Sequence, residues 1–280
     1  MKCKYFLRFV TIFVSFFITC GNLYPQNIKM VPVSSGEFTM GCTFSECKGD
    51  NHYAVAHRVK LDSFKISKYE ITNKQYVTFL NEINADSNGS IKGDTLKLLF
   101  LNRRYNRIEY KNCRIQFRNG KFIVEKGYEN FPVIVNWYGA QTFCEYYKGR
   151  LPTEAEWEFA ARGGNKAKHT RYAGSDSADK VAWHYYNADY KLRDVGTKMP
   201  NELGIYDMSG NNKEWCYDWY SGIYYENSPK VNPKCLSSQG SRRVVRGGSC
   251  CVPYHYCMVF YRSSYRPYKQ VCGFRFCKDK

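Results

Sequence analysis

The 280-residue sequence lacks several signatures of common functional classes. Its 13 cysteines include no Cys-x-x-Cys pair, which excludes the usual ligand spacing of zinc fingers and the thioredoxin-type redox motif. Its five histidines include no His-x-x-x-His pair, so a histidine-bound iron site has no local pair of ligands. The formal charge is +17, but no run of five or more basic residues occurs. Such scattered Lys and Arg are typical of a solvated surface rather than of a nucleic-acid-binding tail.

Long apolar runs are absent as well, apart from one near the N-terminus. The stretch Phe9–Thr19 follows a basic segment and has the length of the apolar region of a secretory signal. It is shorter than a transmembrane helix requires. We therefore expect residues 1–26 to form a signal peptide. The mature protein is then exported to the periplasm, outer membrane or surface of a bacterial cell.

Cys20 ends this apolar stretch and introduces a second possibility, a lipoprotein. A Gly-Asn pair follows Cys20, as at a bacterial lipoprotein cleavage site, so cleavage before Cys20 would leave a lipid anchor. Otherwise cleavage falls between Gly21 and Gln26. Because export permits disulfides, Cys42 and Cys47 in their polar loop can close a small ring.

The composition indicates a globular protein rather than a disordered one. Hydrophobic residues make up 44% and aromatic residues 17% of the chain, which suffices for a sizeable core. The 25 tyrosines and a negative mean hydropathy are typical of a loop-rich globule with many hydroxyl groups to satisfy. Residues 85–130 are rich in Lys, Arg and Asn, and we expect them to be an insertion within one domain over residues 27–280.

Alternating apolar and polar residues predict three strand-containing segments. Met30–Met40 predicts a hairpin around Ser34-Ser35-Gly36, and Val59–Ile66 predicts a strand. Gln116–Val124 predicts a hairpin around Asn119-Gly120, a dipeptide suited to a type I′ turn.

End signals predict three helices. Thr72 with Gln75, and Thr153 with Glu156, have the spacing of capping boxes, in which a hydroxyl and a side-chain oxygen satisfy each other's backbone N–H groups. Asn136 is a suitable N-cap for a helix that ends before Gly149, after a short strand over Pro132–Val135.

The loop Pro200–Trp219 combines oxygen-bearing side chains with buried-type aromatics. Asp207, Asn211, Asn212 and Glu214 can supply oxygen ligands to calcium from an irregular loop. The spacing is not that of an EF-hand, and Asn-Gly turn chemistry accounts for part of the pattern. Both interpretations remain open.

A second candidate site is the segment Arg246–Cys257, in which three cysteines follow a Gly-Gly-Ser turn. Cys250, Cys251 and Cys257 lie within eight residues of one another, and Ser249 places a hydroxyl beside them. Thiols so placed can close a disulfide, hold a soft metal such as Cu(I), or act as a redox nucleophile.

Seven segments of the chain together resemble the sulfatase-modifying-factor family, whose founder is the formylglycine-generating enzyme. They recur in the family's order and cover nearly the whole mature chain. The segments are Gly36–Gly41, Lys68–Leu80, Phe131–Cys144, Arg150–Gly164, Pro200–Trp215, Arg243–Ser249 and Gly273–Arg275.

The resemblance implies an α+β fold: one compact sulfatase-modifying-factor domain, a C-type-lectin-like variant that is rich in loops, with few short helices and strands. It also implies structural calcium. The family's calcium ligands in the Gly-Asn-Asn loop fall on Ser209, Gly210, Asn212 and Glu214, partly through backbone carbonyls. Lys213 replaces the aromatic residue that usually precedes the glutamate.

The resemblance implies an activity as well. Enzymes of this family oxidise a cysteine of a client sulfatase to formylglycine with O2 and a Cu(I) ion held by two cysteines. The second of these cysteines falls on Cys257, with Tyr256 before it and Ser249 as the serine of the Gly-Gly-Ser turn. These residues, with Cys251, are the candidate catalytic set.

The first copper cysteine of the family falls on Val252 instead of on a cysteine. Cys251 is displaced by one residue and Cys250 by two. A shift of one residue in an extended segment turns the side chain to the opposite face. The candidate copper ligands are therefore Cys257 and, displaced by one position, Cys251.

The family pattern also suggests a disulfide from Cys144 to Cys277 or to Cys272. Three functions follow as alternatives. The chain is an enzyme that oxidises a cysteine in a client protein or peptide. Or it is a non-catalytic scaffold or surface lipoprotein in a cell-envelope assembly, of the gliding-motility or type IX secretion type. Or it is a nonheme-iron enzyme of the same fold, which the histidine spacing disfavours.

Overall fold

The computed structural model describes four stretches of the chain: residues 28–47, 55–86, 114–237 and 241–280. The predicted signal peptide, the lipidation of Cys20 and most of the predicted insertion over residues 85–130 lie outside them. None of the helices in these stretches is long and apolar enough to cross a membrane.

Five short helices are present in the described stretches. They are α1 (Asn73–Glu82), α2 (Trp137–Tyr146), α3 (Glu154–Ala161), α4 (Ala178–Val181) and α5 (Tyr224–Asn227). Both capping boxes are confirmed, because Thr72 exchanges hydrogen bonds with Gln75 and Thr153 does so with Glu156. Asn136 caps α2 by accepting a hydrogen bond from the N–H of Gly139 at 2.8 Å.

Eleven short strands accompany these helices. They are β1 (Met30–Val33), β2 (Gly36–Met40), β3 (His57–Leu61), β4 (Phe64–Ser67), β5 (Ile115–Arg118), β6 (Lys121–Val124), β7 (Glu214–Trp219), β8 (Arg243–Arg246), β9 (Ser263–Tyr265), β10 (Gly273–Phe274) and β11 (Cys277–Asp279). One sheet has the order β1-β4-β11 and a second has the order β10-β7-β8-β9. The pairs β2-β3 and β5-β6 form two-stranded antiparallel sheets. The molecule is thus an α+β domain whose elements are short and joined by long loops.

The predicted hairpin over Met30–Met40 is wrong, although both of its strands exist. β1 pairs antiparallel with β4, and β2 pairs antiparallel with β3. β4 is the central strand of its sheet, with three of its four residues buried, so pairing with a distant strand overrides the local turn. The predicted strand Val59–Ile66 is likewise divided, into β3 and β4, with a break after Leu61.

The hairpin around Asn119-Gly120 is confirmed as β5 and β6. Asn119 and Gly120 both have positive φ, 50° and 78°, as a type I′ turn requires. The predicted strand over Pro132–Val135 is wrong. Pro132 and Val135 make only isolated bridges, to Thr72 and Cys272.

Two large apolar clusters make up most of the core. The first joins α1 and α2 through aromatic contacts: the rings of Tyr76 and Phe143 stack with centroids 5.7 Å apart, and Phe79 meets Phe143 edge-on at 5.3 Å. The second cluster surrounds Trp157 on α3, which is fully buried. All eight residues of helix α3 are buried, so the helix packs into the core on all sides.

Several of the buried cysteines lie in these two clusters. The predicted Cys42–Cys47 ring is confirmed as a disulfide. The disulfide suggested for Cys144 does not form: Cys144 lies in the first core cluster and Cys277 in the second, and both are buried thiols. Cys272 shares the first cluster with Cys144, but no disulfide joins them.

Candidate functional site

The Gly-Gly-Ser turn leaves β8 and places the cysteine segment against the body of the domain. Gly247 and Gly248 have φ of 91° and 71°, a left-handed conformation that favours glycine. A Cβ on Gly248 would lie 2.6 Å from Sγ of Cys257 and 2.7 Å from the carbonyl oxygen of Tyr256. Glycine at this position therefore lets the short 3-10 helix Tyr254–Cys257 close onto the turn.

A cavity of about 150 Å³ opens beside this turn. Its lining includes Gly248, Val252, Tyr256, Lys213 and Tyr261. The rings of Tyr256 and Tyr261 meet edge-on with centroids 4.9 Å apart. We call this space the tyrosine cavity.

A second, much smaller cavity of about 20 Å³ lies at the preceding residues of the segment. Cys250, Cys251, Asn212 and Lys213 are among the residues that line it. The sulfurs of Cys250 and Cys251 are 3.5 Å apart. We call this space the dithiol cavity. Lys213 borders both cavities, at the position where the family usually has an aromatic residue.

The structure separates two residues that the sequence proposed as copper ligands. Cys257 is fully buried and packs in a small apolar cluster with Val252 beside it. Cys251 packs in another cluster, together with Cys250 and Leu192. Residues 250–252 form a turn and a bend and lead into the 3-10 helix Tyr254–Cys257, so the separation does not come from the alternation of an extended segment. The role of Cys251 and Cys257 in catalysis stays a prediction, but their placement does not fit one Cu(I) ion shared between them.

The environment of Cys257 disfavours its thiolate form. Burial raises the pKa of the Cys257 thiol to about 12. The backbone of Ser249 and of Gly210, and the charge of Lys213, act in the opposite direction but do not offset burial. Because nucleophilic attack needs the thiolate, Cys257 is poorly prepared to act as a nucleophile in this environment.

The predicted calcium ligands are engaged by protein groups. Both carboxylate oxygens of Glu214 lie 2.9 Å from Nε of Arg275, and one accepts a hydrogen bond from Nε1 of Trp157 at 2.7 Å. Oγ of Ser209 accepts a hydrogen bond from the N–H of Ala173 at 3.1 Å.

The buried guanidinium of Arg275 already occupies the carboxylate of Glu214, which does not fit its role as a calcium ligand, while ligation by the backbone carbonyls of the set stays a prediction. Gly210 has φ of 79° and donates its N–H to the carbonyl of Gly247 at 2.7 Å. Asn212 donates its backbone N–H to Glu70 at 3.2 Å. Among the residues described, no group of three or more His, Cys, Asp or Glu side chains could hold a metal ion.

Two buried acids hold this loop: Glu70, which precedes α1 and was not singled out in the sequence, and Asp207 within the loop itself. Glu70 accepts hydrogen bonds from Nδ2 of Asn211 at 2.7 Å and from the backbone of Asn212, and burial raises its pKa well above the usual value. Burial also raises the pKa of Asp207 to about 6. Asp207 accepts from the N–H of Gly196 at 2.7 Å, so it orders the loop.

An exposed aromatic surface, which the sequence did not predict, lies near the cysteine segment. The side chains of Tyr185, Tyr186, Tyr190 and Tyr254 are between 37% and 65% exposed. Ring centroids are 4.7 Å apart for Tyr185 and Tyr190, 5.0 Å for Tyr185 and Tyr186, and 5.9 Å for Tyr186 and Tyr254. We call these four residues the tyrosine surface. The Tyr-Tyr pair at Tyr185-Tyr186 was a signal in the sequence, but its exposure was not.

The tyrosine surface is attached to the cysteine segment and leads to the tyrosine cavity. Tyr185 donates its N–H to the carbonyl of Val252 at 3.0 Å, and the carbonyl of Tyr190 lies 3.9 Å from Sγ of Cys251. Tyr254 stands 6.0 Å from His255, whose ring is 4.2 Å from that of Tyr256 at the cavity. A series of ring contacts thus connects the four exposed tyrosines to Tyr256, which lines the cavity.

Nearly the whole chain matches one protein family. The family model described as a sulfatase-modifying factor enzyme 1-like domain matches residues 22–280. This chain belongs to the sulfatase-modifying factor family. Among individual relatives, the formylglycine-generating enzyme of Streptomyces coelicolor is 30% identical over a gapped alignment of 291 positions, which covers 89% of this chain and 88% of the relative.

Another relative of this chain carries a different name. The serine/threonine-protein kinase pkn1 of Chlamydia pneumoniae is 36% identical over 229 residues, and the match covers 80% of this chain. That match covers only 33% of the kinase, so this chain spans about a third of its length. The activity of the whole kinase therefore does not transfer to this chain.

A solved structure confirms the fold of the sulfatase-modifying factor family. The structure of PvdO from Pseudomonas aeruginosa superimposes with a TM-score of 0.65 at 22% identity. The superposition covers 90% of this chain and 94% of PvdO. The likeness supports one domain of the C-type-lectin-like variant, as expected from the resemblance.

Proposed function

We propose that this chain is a non-catalytic member of the family that binds a segment of a partner protein at the tyrosine surface and tyrosine cavity. The observation that carries the proposal is Val252. It stands where the family has its first copper cysteine, and it is Val252, not Cys251, that packs beside Cys257. A family member without that cysteine keeps the fold and its surface but lacks one of the two cysteines that hold copper.

The alternative, oxidation of a client cysteine to formylglycine, needs two thiolates at one position. Cu(I) prefers soft sulfur ligands, and in the family it supplies the reaction with O2. Here an aliphatic side chain takes one ligand position, which leaves Cys257 as the one thiol of the pair, and burial raises the pKa of that thiol. The residues present do not fit the copper ion, so we derive no step through it.

The composition of the exposed face supports partner binding. Tyrosine supplies a large, rigid contact area at a low cost in conformational entropy and is enriched at protein interfaces. Tyr186 is 65% exposed and Tyr254 is 47% exposed, far more than an ordinary packing role requires. A contiguous group of exposed rings next to a cavity is typical of an interaction site.

The charge distribution indicates the chemistry of the partner. Lys213 borders the cavity and donates a hydrogen bond to the hydroxyl of Tyr265 at 2.7 Å. A carboxylate of the partner near Lys213 would form an ion pair, and the net positive charge, which stays strong without the basic residues of the predicted signal peptide, attracts acidic partners over longer distances. We infer a partner segment with acidic and apolar side chains, from a protein of the bacterial cell envelope. This inference includes export of the chain, with or without a lipid anchor.

Selection from a phage-displayed random peptide library tests the proposal. We expect the purified chain to select peptides enriched in acidic residues. Tyr186→Ala and Tyr254→Ala should each weaken their binding at least about tenfold, or about 1.4 kcal/mol. Lys213→Gln should remove the preference for acidic residues.

Tyr268→Ala provides the matched control, because Tyr268 is 49% exposed but lies outside the tyrosine surface. We expect it to bind the selected peptides as the unmodified chain does. Peptides that bind all these variants equally would show that the tyrosine surface is not the binding site. So would a selection that yields no peptide.

A further inference from the structure

The adjacent thiols of Cys250 and Cys251 form a pair that the proposed function does not use. Their sulfurs are 3.5 Å apart, and both side chains line the dithiol cavity. The other thiol of the segment, Cys257, packs in a different cluster. Cys250 and Cys251 are thus placed to react with each other rather than with Cys257.

We propose that Cys250 and Cys251 are a thiol–disulfide exchange site that is oxidised by an external disulfide of the low-molecular-weight thiol class. Cys251 is the attacking sulfur, because it is partly exposed whereas Cys250 is 1% exposed. Cys250 is the resolving sulfur, since it lies within contact distance of Cys251 and out of reach of solvent.

The exchange proceeds in two steps that balance. The thiolate of Cys251 attacks one sulfur of the external disulfide, so a mixed disulfide forms and one external thiolate leaves. Cys250 loses its proton and attacks the sulfur of Cys251, which releases the second external thiolate and closes a disulfide between the two neighbours. The two cysteines lose two electrons and two protons, and the external disulfide becomes two thiols.

The surroundings of the pair support this assignment of roles. Lys213 borders the same cavity and brings a positive charge to it. Asn212 also lines the cavity, and its buried Nδ2 has no hydrogen-bond partner. An N–H without a partner and an ammonium group both favour negative charge on sulfur.

A disulfide between neighbouring residues is reversible for a geometric reason. Consecutive Cα atoms lie about 3.8 Å apart, whereas disulfides usually join Cα atoms about 4.4–6.8 Å apart. The resulting strain makes the bond easier to reduce, as is typical of labile or regulatory disulfides. Closure of this disulfide would also displace Val252, whose carbonyl accepts a hydrogen bond from the N–H of Tyr185.

Mass spectrometry of the full chain tests the proposal. The reduced, folded protein is treated with oxidised glutathione, remaining thiols are alkylated, and the chain is cut with trypsin and chymotrypsin. Cleavage after Arg246 and Tyr254 separates the pair from Cys257 in the peptide Gly247–Tyr254. We expect this peptide to be lighter by two hydrogen atoms, without alkylation and without retained glutathione.

Three variants distinguish the roles. Cys250→Ser should retain one glutathione on Cys251, because the resolving thiol is gone. Cys251→Ser should take up no glutathione in this peptide, since Cys250 is buried. Cys235→Ser is the matched control, because its thiol donates only to the carbonyl of Ser237 at 3.5 Å and a hydroxyl can replace it. It should behave as the unmodified chain does.

Other outcomes overturn the proposal. A doubly alkylated Gly247–Tyr254 peptide from the folded wild-type chain would show that the pair does not react. Glutathione retained on the wild-type peptide would show that Cys250 does not resolve the mixed disulfide. A bond from Cys251 to Cys257 would contradict the separation of the two clusters. The wild-type result decides even where a variant fails to fold.

Discussion

Gly248 lies directly against Cys257, so close that any side chain at residue 248 would overlap the sulfur. A Cβ would come within 2.6 Å of that sulfur, and φ at Gly248 is 71°. We expect Gly248→Ala to lower the free energy of unfolding by about 2–5 kcal/mol, from backbone strain and overpacking together. Urea denaturation followed by circular dichroism measures this change.

Gly204→Ala separates the two causes. Gly204 has a similar φ of 76°, but a Cβ there would meet nothing within 4 Å. Its cost should be only the backbone strain, about 1–2 kcal/mol. If both variants lose the same stability, the contact with Cys257 does not constrain residue 248.

The buried ion pair of Glu158 and Arg246 anchors α3 to β8. Both side chains are fully buried, and Glu158 also accepts hydrogen bonds from the N–H of Gly41 at 2.8 Å and from Nε of Arg162 at 2.9 Å. Glu158→Gln leaves the guanidinium of Arg246 buried beside a neutral amide. We expect a loss of about 3–5 kcal/mol in unfolding free energy.

The exposed pair of Glu37 and Arg58 provides the comparison. Their nitrogen and oxygen lie 3.2 Å apart, with side chains 55% and 67% exposed. Glu37→Gln should change the unfolding free energy by less than about 1 kcal/mol. Equal losses for Glu37→Gln and Glu158→Gln would mean that burial does not set the strength of the Arg246 pair.

Asp218 on β7 should make stability fall as pH rises. Burial and the nearby carboxylates of Glu154 and Glu156 raise its pKa from 3.8 to about 7. Between about pH 4 and pH 7 the folded chain holds a proton that the unfolded chain has lost. Asp218 therefore destabilises the fold increasingly over that range, by up to about 1.4 kcal/mol per pH unit.

Asp218→Asn removes this titration. Asp218 accepts hydrogen bonds from the N–H groups of Glu154 at 2.8 Å and Cys235 at 2.7 Å, and an amide can satisfy only one of them. We expect the variant to be less stable by about 1–3 kcal/mol at pH 4, with the difference shrinking toward pH 7. Urea unfolding at several pH values measures it. Parallel pH profiles for both proteins would contradict the raised pKa.

The parts of the fold that the sequence predicted correctly depend on nearby residues. The capping boxes at Thr72 and Thr153 and the Asn119-Gly120 turn each involve groups no more than three residues apart, so spacing alone determines them. The Met30–Met40 hairpin failed because β1 pairs with the distant β4. Strand partners depend on the whole core, which a local pattern does not contain.

The candidate site divides in the same way. That Val252 stands in place of the family's first copper cysteine could be seen in the sequence alone, whereas the roles of Cys251 and Cys257 stay predictions. The pairing of Glu214 with Arg275 was not predictable, since 61 residues separate them and only the tertiary contact shows that this candidate calcium ligand is already occupied. The tyrosine surface was missed because exposure cannot be inferred from residue type alone.

Cu(I) titration tests the central claim, that Val252 takes the place of the family's first copper cysteine, so that Cys257 has lost its partner ligand. Binding is measured anaerobically against a competing chelator, for the wild-type chain and for Cys251→Ser, Cys257→Ser and Val252→Cys. We predict that wild-type binding, including any at the dithiol cavity, does not depend on Cys257. Val252→Cys should create a new one-to-one site that requires Cys257. A tight one-to-one wild-type site that is lost in both Cys251→Ser and Cys257→Ser would contradict this account and establish the chain as a copper-binding member of its family.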